Sequence, residues 1–114
     1  MAAKDEVGRY GERFAADWYT ERGYEIVARN WRVRAGEIDL IAAGSDVVVF
    51  CEVKRRTSGA FGSGAEAVGW RKQQRIRTVA RHWLAEQESW VPQLRFDVAV
   101  VDGAGHVEVI EAAF

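Results

Sequence analysis

Val47 to Val53 (VVVFCEV) is apolar on both of the faces that a strand would present. Alternate strand residues point to opposite sides. Val47, Val49, Cys51 and Val53 therefore line one face, while Val48 and Phe50 line the other, where Glu52 and Lys54 follow. A strand with two apolar faces must be covered by a layer on each side. It belongs at the centre of a sheet, and the Glu52–Lys54 pair marks where it leaves the core. The preceding stretch, GEIDLIAA from Gly36, reads as a second strand with Glu37 and Asp39 on one face. Carboxylates beside a core need a partner, because desolvating a bare charge is strongly unfavourable. A bound cation is one such partner.

Whether the four charges meet depends on register. A hairpin with a two-residue loop (Gly44, Ser45) sets Glu37 opposite Glu52. A four-residue loop (Gly44 to Val47) sets Asp39 opposite Glu52 and Glu37 opposite Lys54. Either brings all four to one face, whereas a three-residue loop sends one strand's set to the other.

At 114 residues the chain has the length of one domain, 1–114, with a core of its own. No run is long and apolar enough to span a membrane, and the first residues carry charges where a signal peptide needs apolar ones. Cys51 is the only cysteine, so no internal disulfide forms. A cytoplasmic protein is expected. His82 and His106 lack neighbours at zinc-ligand spacing. The formal net charge is −1, but it is unevenly spread. Lys54 to Arg81 holds eight basic residues and one acidic, Glu66. Arginine far outnumbers lysine, and its planar fork suits phosphate, although a general bias toward arginine would give the same count.

In chain order, Val7 to Arg22 reads as a helix, with Val7, Tyr10, Phe14 and Trp18 as its apolar stripe and Gly23 as its stop. Gly8 and Gly11 would allow close backbone approach, and Glu12 lies on a flank. Tyr24 to Trp31 reads as a strand with Tyr24, Ile26 and Ala28 on one face. The Gly-rich run from Thr57 to Gly64 is either a connector or a mobile loop at a substrate. Ala65 to Gln87 is the longest expected helix, burying Val68, Ile76, Val79, Ala80, Trp83 and Leu84. Arg71, Lys72, Arg75 and Arg77 cover its first half, either as solvated surface or as phosphate contacts. Pro92 ends this region. Leu94 to Asp102 and His106 to Ile110 form a last hairpin.

Asp39 and Glu52 are hard oxygen ligands suited to Mg²⁺ or Mn²⁺, and the Val53 carbonyl could add another. A metal held there polarises a phosphate and acidifies a bound water. Lys54 would orient that water or balance charge on the phosphoryl oxygens, and Glu12 could hold the metal or its water. Such a triple alone also fits an ordinary polar sheet edge.

Further motifs narrow the choice: GRYGERFAADWYTERGYEIVARNWR near the start, GEIDLIA followed by VVVFCEVKRR, Lys72-x-x-Arg75-Ile76, RFDV at Arg95 to Val98, and the terminal EAAF. Through them nearly the whole chain resembles the YraN-like family of predicted endonucleases, within the PD-(D/E)xK restriction-endonuclease-like superfamily. The resemblance implies an α/β fold with a restriction-endonuclease-like core, a mixed central sheet of about five strands flanked by helices, in the order α-β-β-β-α-β-β. It also implies similarity to archaeal Holliday-junction resolvases, where a helix glutamate, an aspartate and Glu-x-Lys form the metal site. Here those are Glu12, Asp39, Glu52 and Lys54, with Ile38 standing where the superfamily has proline.

The implied activity is Mg²⁺- or Mn²⁺-dependent hydrolysis of DNA phosphodiesters, with branched or damaged DNA as candidate substrates. Arg55, Arg56, Arg71, Lys72 and Arg75 are the expected nucleic-acid contacts. DNA is the expected partner, no membrane is involved, and a homodimer is left open. One alternative keeps nucleic-acid binding without efficient cleavage. The other is a protein-interaction module, with Trp70, Trp83 and Trp90 partly serving a partner surface.

Overall fold

The central strand is β3 (Val47–Arg55), as its two apolar faces require. The computed structural model describes residues 2–56, 68–89, 91 and 93–114, with side chains from residue 10 onward. The Gly-rich run at 57–64, residues 65–67, the side chain of Val7, Trp90 and Pro92 lie outside the described residues. The sheet runs β1 (Glu25–Val33), β2 (Gly36–Ala43), β3, β4 (Gln93–Val101), β5 (Val107–Ile110), each strand beside its neighbour in sequence. All pairs are antiparallel except β3 with β4, which is parallel. A parallel step needs a long crossover, and helix α2 (Trp70–Ala85) lies within it. Helix α1 (Ala2–Glu21) covers the opposite face. The result is a mixed five-stranded α/β sheet in the order read from the sequence.

Each face of β3 has its own core. Val49 and Cys51 pack on the α1 side with Ala15, Ala16, Tyr19, Leu40, Ala99 and Val101. Val48 and Phe50 pack on the α2 side with Ile38, Ile76, Val79, Phe96 and Val98. Both sets are nearly dry, so β3 is held by apolar burial from above and below.

The helices differ in detail from their periodicity. The buried face of α1 is Ala15, Ala16 and Tyr19, while Phe14 and Trp18 are only partly buried at its rim. Small residues at the contact let the helix lie close to the sheet, and the large aromatics then cover its edges. Gly11 continues that small face: a Cβ there would stand 3.5 Å from the Val53 side chain. The helix stops at Gly23, whose φ of +89° suits glycine, and the Tyr24 N–H donates to the Tyr19 carbonyl at 3.0 Å. Helix α2 begins at Trp70, later than expected, because Gly69 is extended at the N-cap. Val68 is therefore not part of the helical stripe, but it is buried in the same core. Trp83 also packs against that core, half-buried and edge-on to Phe50.

Strand β1 departs from alternation. A bulge at Val27 puts Ile26 with the α1-side core and Ala28 with the α2-side core, so they do not share a face. Among the described residues no helix is long and apolar enough to cross a membrane.

A candidate active site at the end of the central strand

The β2–β3 hairpin takes the four-residue loop. Ala43 pairs with Val48 and Leu40 with Cys51, and the Gly44 N–H closes the turn on the Val47 carbonyl at 2.8 Å. One step further, this register sets Asp39 across from Glu52. There the ladder ends and the strands part.

Parity alone does not bring the acids together. Ile38 belongs to the α2-side core and Leu40, two residues on, to the α1-side core. Alternation therefore breaks at Asp39. Its Oδ2 instead accepts the Val53 N–H at 2.8 Å, replacing a backbone acceptor in the gap between the strands. Strand β1 is irregular at the same level. Asn30 lies between the pairs Arg29–Leu40 and Trp31–Ile38 and has a φ of +49°. Asparagine tolerates that left-handed backbone. Its Nδ2 donates to Glu12 Oε1 at 2.8 Å, tying the helix glutamate to the sheet. Asn30 escaped the sequence reading; its signal was an asparagine inside an otherwise strand-like run.

A cleft of about 430 Å³ opens here, lined by Gly11, Glu12, Gly36, Glu37, Asp39, Glu52, Val53, Lys54, Arg55, Lys72, Arg75 and Ile76. Glu12, Asp39, Glu52 and Lys54 thus share one cavity. Glu52 is only 5% exposed. Its Oε2 pairs with Lys72 Nζ and lies 3.8 Å from Lys54 Nζ. Asp39 is pushed up to about 8, mainly by burial, then by its hydrogen bond to Glu52 and the Glu52 charge; the Val53 N–H opposes this and Glu12 adds to it. Two carboxyl groups crowded in a partly dry site cannot both ionise freely, so the first keeps its proton. Burial works against the Lys72 ammonium, but the bond to Glu52 and the negative charges around it win, and it is held more tightly protonated than usual.

Glu37 is at the rim, paired with Arg32 rather than Lys54. Gly36, at φ +151°, lets the Arg75 stem pass over the strand: a Cβ there would meet Arg75 Cγ and Cδ at 3.1 Å. The basic residues divide. Lys72, Arg75 and Arg55 line the cleft, and Arg55 also sits 5.0 Å from the Tyr10 ring centroid. Arg71 is exposed and is not part of the lining. Arg56 turns away to Glu108 at 3.1 Å, so the structure engages it elsewhere. Arg77 also faces away, over the rings of Phe96 and Phe114. Lys72, expected as solvated surface or as a phosphate contact, instead touches Glu52 directly.

The donor set suits a hard divalent cation. Asp39 and Glu52 offer carboxylate oxygens, and the proton retained on the pair occupies charge space that a cation would take. Among the described residues no three His, Cys, Asp or Glu side chains are grouped closely enough to hold a metal ion, so Glu12 does not join Asp39 and Glu52 as a third ligand. Mg²⁺ does not need one, since it keeps several waters and often takes one or two carboxylates with substrate phosphate completing its shell.

Comparison with known proteins gives a consistent kinship. Residues 11–101 match the model of uncharacterised protein family UPF0102. A UPF0102 protein of Frankia casuarinae is 48% identical over 118 aligned positions, covering 100% of both chains. One from Nocardia farcinica is 50% identical, covering 95% of this chain and 86% of its own. One from Ruegeria pomeroyi is 48% identical, covering 95% of this chain and 87% of its own.

Proposed function

Starting from a chain that belongs to uncharacterised protein family UPF0102, we propose that its cleft is the centre of a divalent-cation-dependent DNA endonuclease. The observation that carries this reading is the crowding of Asp39 and Glu52 at the end of the central strand, with Asp39 holding a proton far above the ordinary carboxylate range. A protein gains nothing in stability from a buried acid set against a half-buried one that repels it. Such a pair is useful where a doubly charged cation is to be held.

Asp39 and Glu52 would hold Mg²⁺ or Mn²⁺, with Glu12 placed by Asn30 to orient a water in the same cleft. The ion would supply Lewis-acid polarisation of a phosphoryl oxygen and a more acidic water. Lys54, fixed on β3 and 30% exposed, faces the cavity with a cation for charge that develops on the scissile phosphate. Arg75 and Arg55 add positive charge at the mouth, where phosphates would position a nucleic acid without reading its sequence.

The test is a cleavage panel of linear, flapped and four-way-junction DNA with Mg²⁺ or Mn²⁺. Wild type should cut at least one substrate only with the ion, and Asp39→Asn should abolish single-turnover cutting while leaving DNA binding intact. Absence of metal-dependent cutting on every substrate, with salt-dependent binding retained, would move the assignment to a DNA-binding protein.

A further inference from the structure

Lys4, Lys54 and Lys72 are the lysines of a chain with thirteen arginines. Two of the three meet at a single carboxylate oxygen, Glu52 Oε2. They come from different elements: Lys54 from β3, and Lys72 from the first turn of α2 across the cleft. Glu52 is 5% exposed and the Lys72 side chain 42%, so Lys72 reaches in from solvent to a buried acid.

The choice of lysine has chemical content. A guanidinium grips a carboxylate through two parallel hydrogen bonds in a fixed plane. An ammonium is a compact point charge on a flexible stem, and it moves between partners more readily. We propose that Lys72 is an exchangeable counter-ion. It neutralises Glu52 while no metal is bound, and it moves to a non-bridging phosphate oxygen of the substrate when a divalent cation occupies Glu52. This rests on the metal-dependent reading above and adds an order of events to it.

The physical sequence is simple. Without a cation, Glu52 is a buried charge that needs a partner, and Lys72 supplies one. With a divalent cation on the same carboxylate, the Lys72 ammonium faces like charge at short range and loses its reason to stay. Its stem springs from the same cleft-facing side of α2 as Arg75, so the released ammonium remains at the mouth. Phosphate bound there would find a cation that was unavailable before metal entry. Metal and DNA binding would thereby favour each other through one side chain.

The experiment measures Mn²⁺ affinity by calorimetry without DNA, for wild type, Lys72→Ala and Lys72→Arg. Removing the competing ammonium should tighten Mn²⁺ binding by about tenfold, and the forked guanidinium should weaken it by about tenfold. Lys72→Arg keeps the charge and a long stem, so it carries the test if Lys72→Ala does not fold. DNA binding is then measured against salt in Ca²⁺ and in EDTA. Lys72→Ala should lower the salt slope by about one in Ca²⁺ and leave it unchanged in EDTA. Equal Mn²⁺ affinity for wild type and Lys72→Arg would overturn the exchange but leave the nuclease reading standing. So would an equal loss of slope in both media. Failure of wild type to bind Mn²⁺ at all would overturn both.

Discussion

The molecule buries carboxylates in two places and treats them in opposite ways. Asp97, on β4, is fully buried. Its oxygens accept from the Tyr19 hydroxyl at 2.6 Å, from Arg95 Nε and a terminal guanidinium nitrogen at 2.9 and 3.0 Å, and from the Ala112 N–H at 3.0 Å. Arg95 is correspondingly held well above its ordinary range, chiefly by its hydrogen bonds to Asp97. Burial, with the neighbouring Asp97 charge and the hydrogen bond to it, keeps the Tyr19 phenol protonated and donating. This acid has donors on every side. Asp39 and Glu52 have each other instead, with lysines supplying part of the missing charge. A satisfied buried carboxylate joins elements together: here α1, β4 and the chain end. The crowded pair also ties elements together, β2 to β3 through the Val53 N–H and β3 to α2 through Lys72, but its two acids compete for the same positive charge, the condition on which the proposed cation site rests.

The strongest way to test this contrast is to remove Asp97. Asp97→Ala leaves the Arg95 guanidinium and the Tyr19 hydroxyl without their main acceptor, and should destabilise the fold by about 3–5 kcal/mol. Urea unfolding followed by far-ultraviolet circular dichroism reads the loss. A cost below about 1 kcal/mol, the range of an exposed pair, would show that Asp97 is not the structural member of the comparison.

The Asp39–Glu52 pair should behave in the reverse sense. An acid whose proton is held more tightly folded than unfolded makes stability fall as pH rises between the two values. For Asp39 that window runs from the ordinary carboxylate range up to about 8. Metal-free wild type should therefore lose stability between about pH 4 and 8 relative to Asp39→Asn, on the order of 2 kcal/mol after allowance for coupling to Glu52. Divalent cation should reduce the gap. Parallel pH profiles for the two proteins in EDTA would contradict the crowding on which the proposed function stands.

Much of this was legible in the residues. The two apolar faces of Val47–Val53 required a central strand, and Gly44–Val47 supplied one of the two admissible registers that set Asp39 near Glu52. Asp39's actual placement was not legible, because alternation assumes a continuous ladder and this ladder ends at Leu40–Cys51. The Asp39 side chain turns into the resulting gap. Asn30 was hidden for the same reason: its left-handed backbone is a tertiary adjustment within a strand pattern. Small residues misdirected the reading of α1, where Ala15 and Ala16 rather than Phe14 and Trp18 carry the closest contact. The basic run on α2 was visible as charge, but the division of its members between cleft and core depends on helix rotation. Arg75 and Arg77 are two positions apart, a spacing that turns them to different sides.

That pair gives the finest test of the comparison, since one helix serves both regions. Arg75 passes over Gly36 into the cleft, whereas the Arg77 guanidinium stands 4.6 Å from the Phe96 ring centroid and 5.6 Å from that of Phe114. Phe96 and Phe114 are themselves stacked at 5.4 Å, and the Ala113 N–H bonds to the Phe96 carbonyl at 2.8 Å. Arg77 thus caps the packing of the chain end on the sheet. Arg77→Ala should cost about 0.5–1 kcal/mol through the lost cation–π contact, with no change in how DNA affinity depends on salt. Arg75→Ala should leave stability within about 0.5 kcal/mol, as expected of a surface substitution, and flatten the dependence of log K on log salt by about one unit. Both substitutions remove one positive charge from the same helix, so a general loss of attraction would affect them equally. If the two variants show the same salt slope, the cleft has no special claim on the phosphate, and the basic face of α2 acts only as diffuse charge.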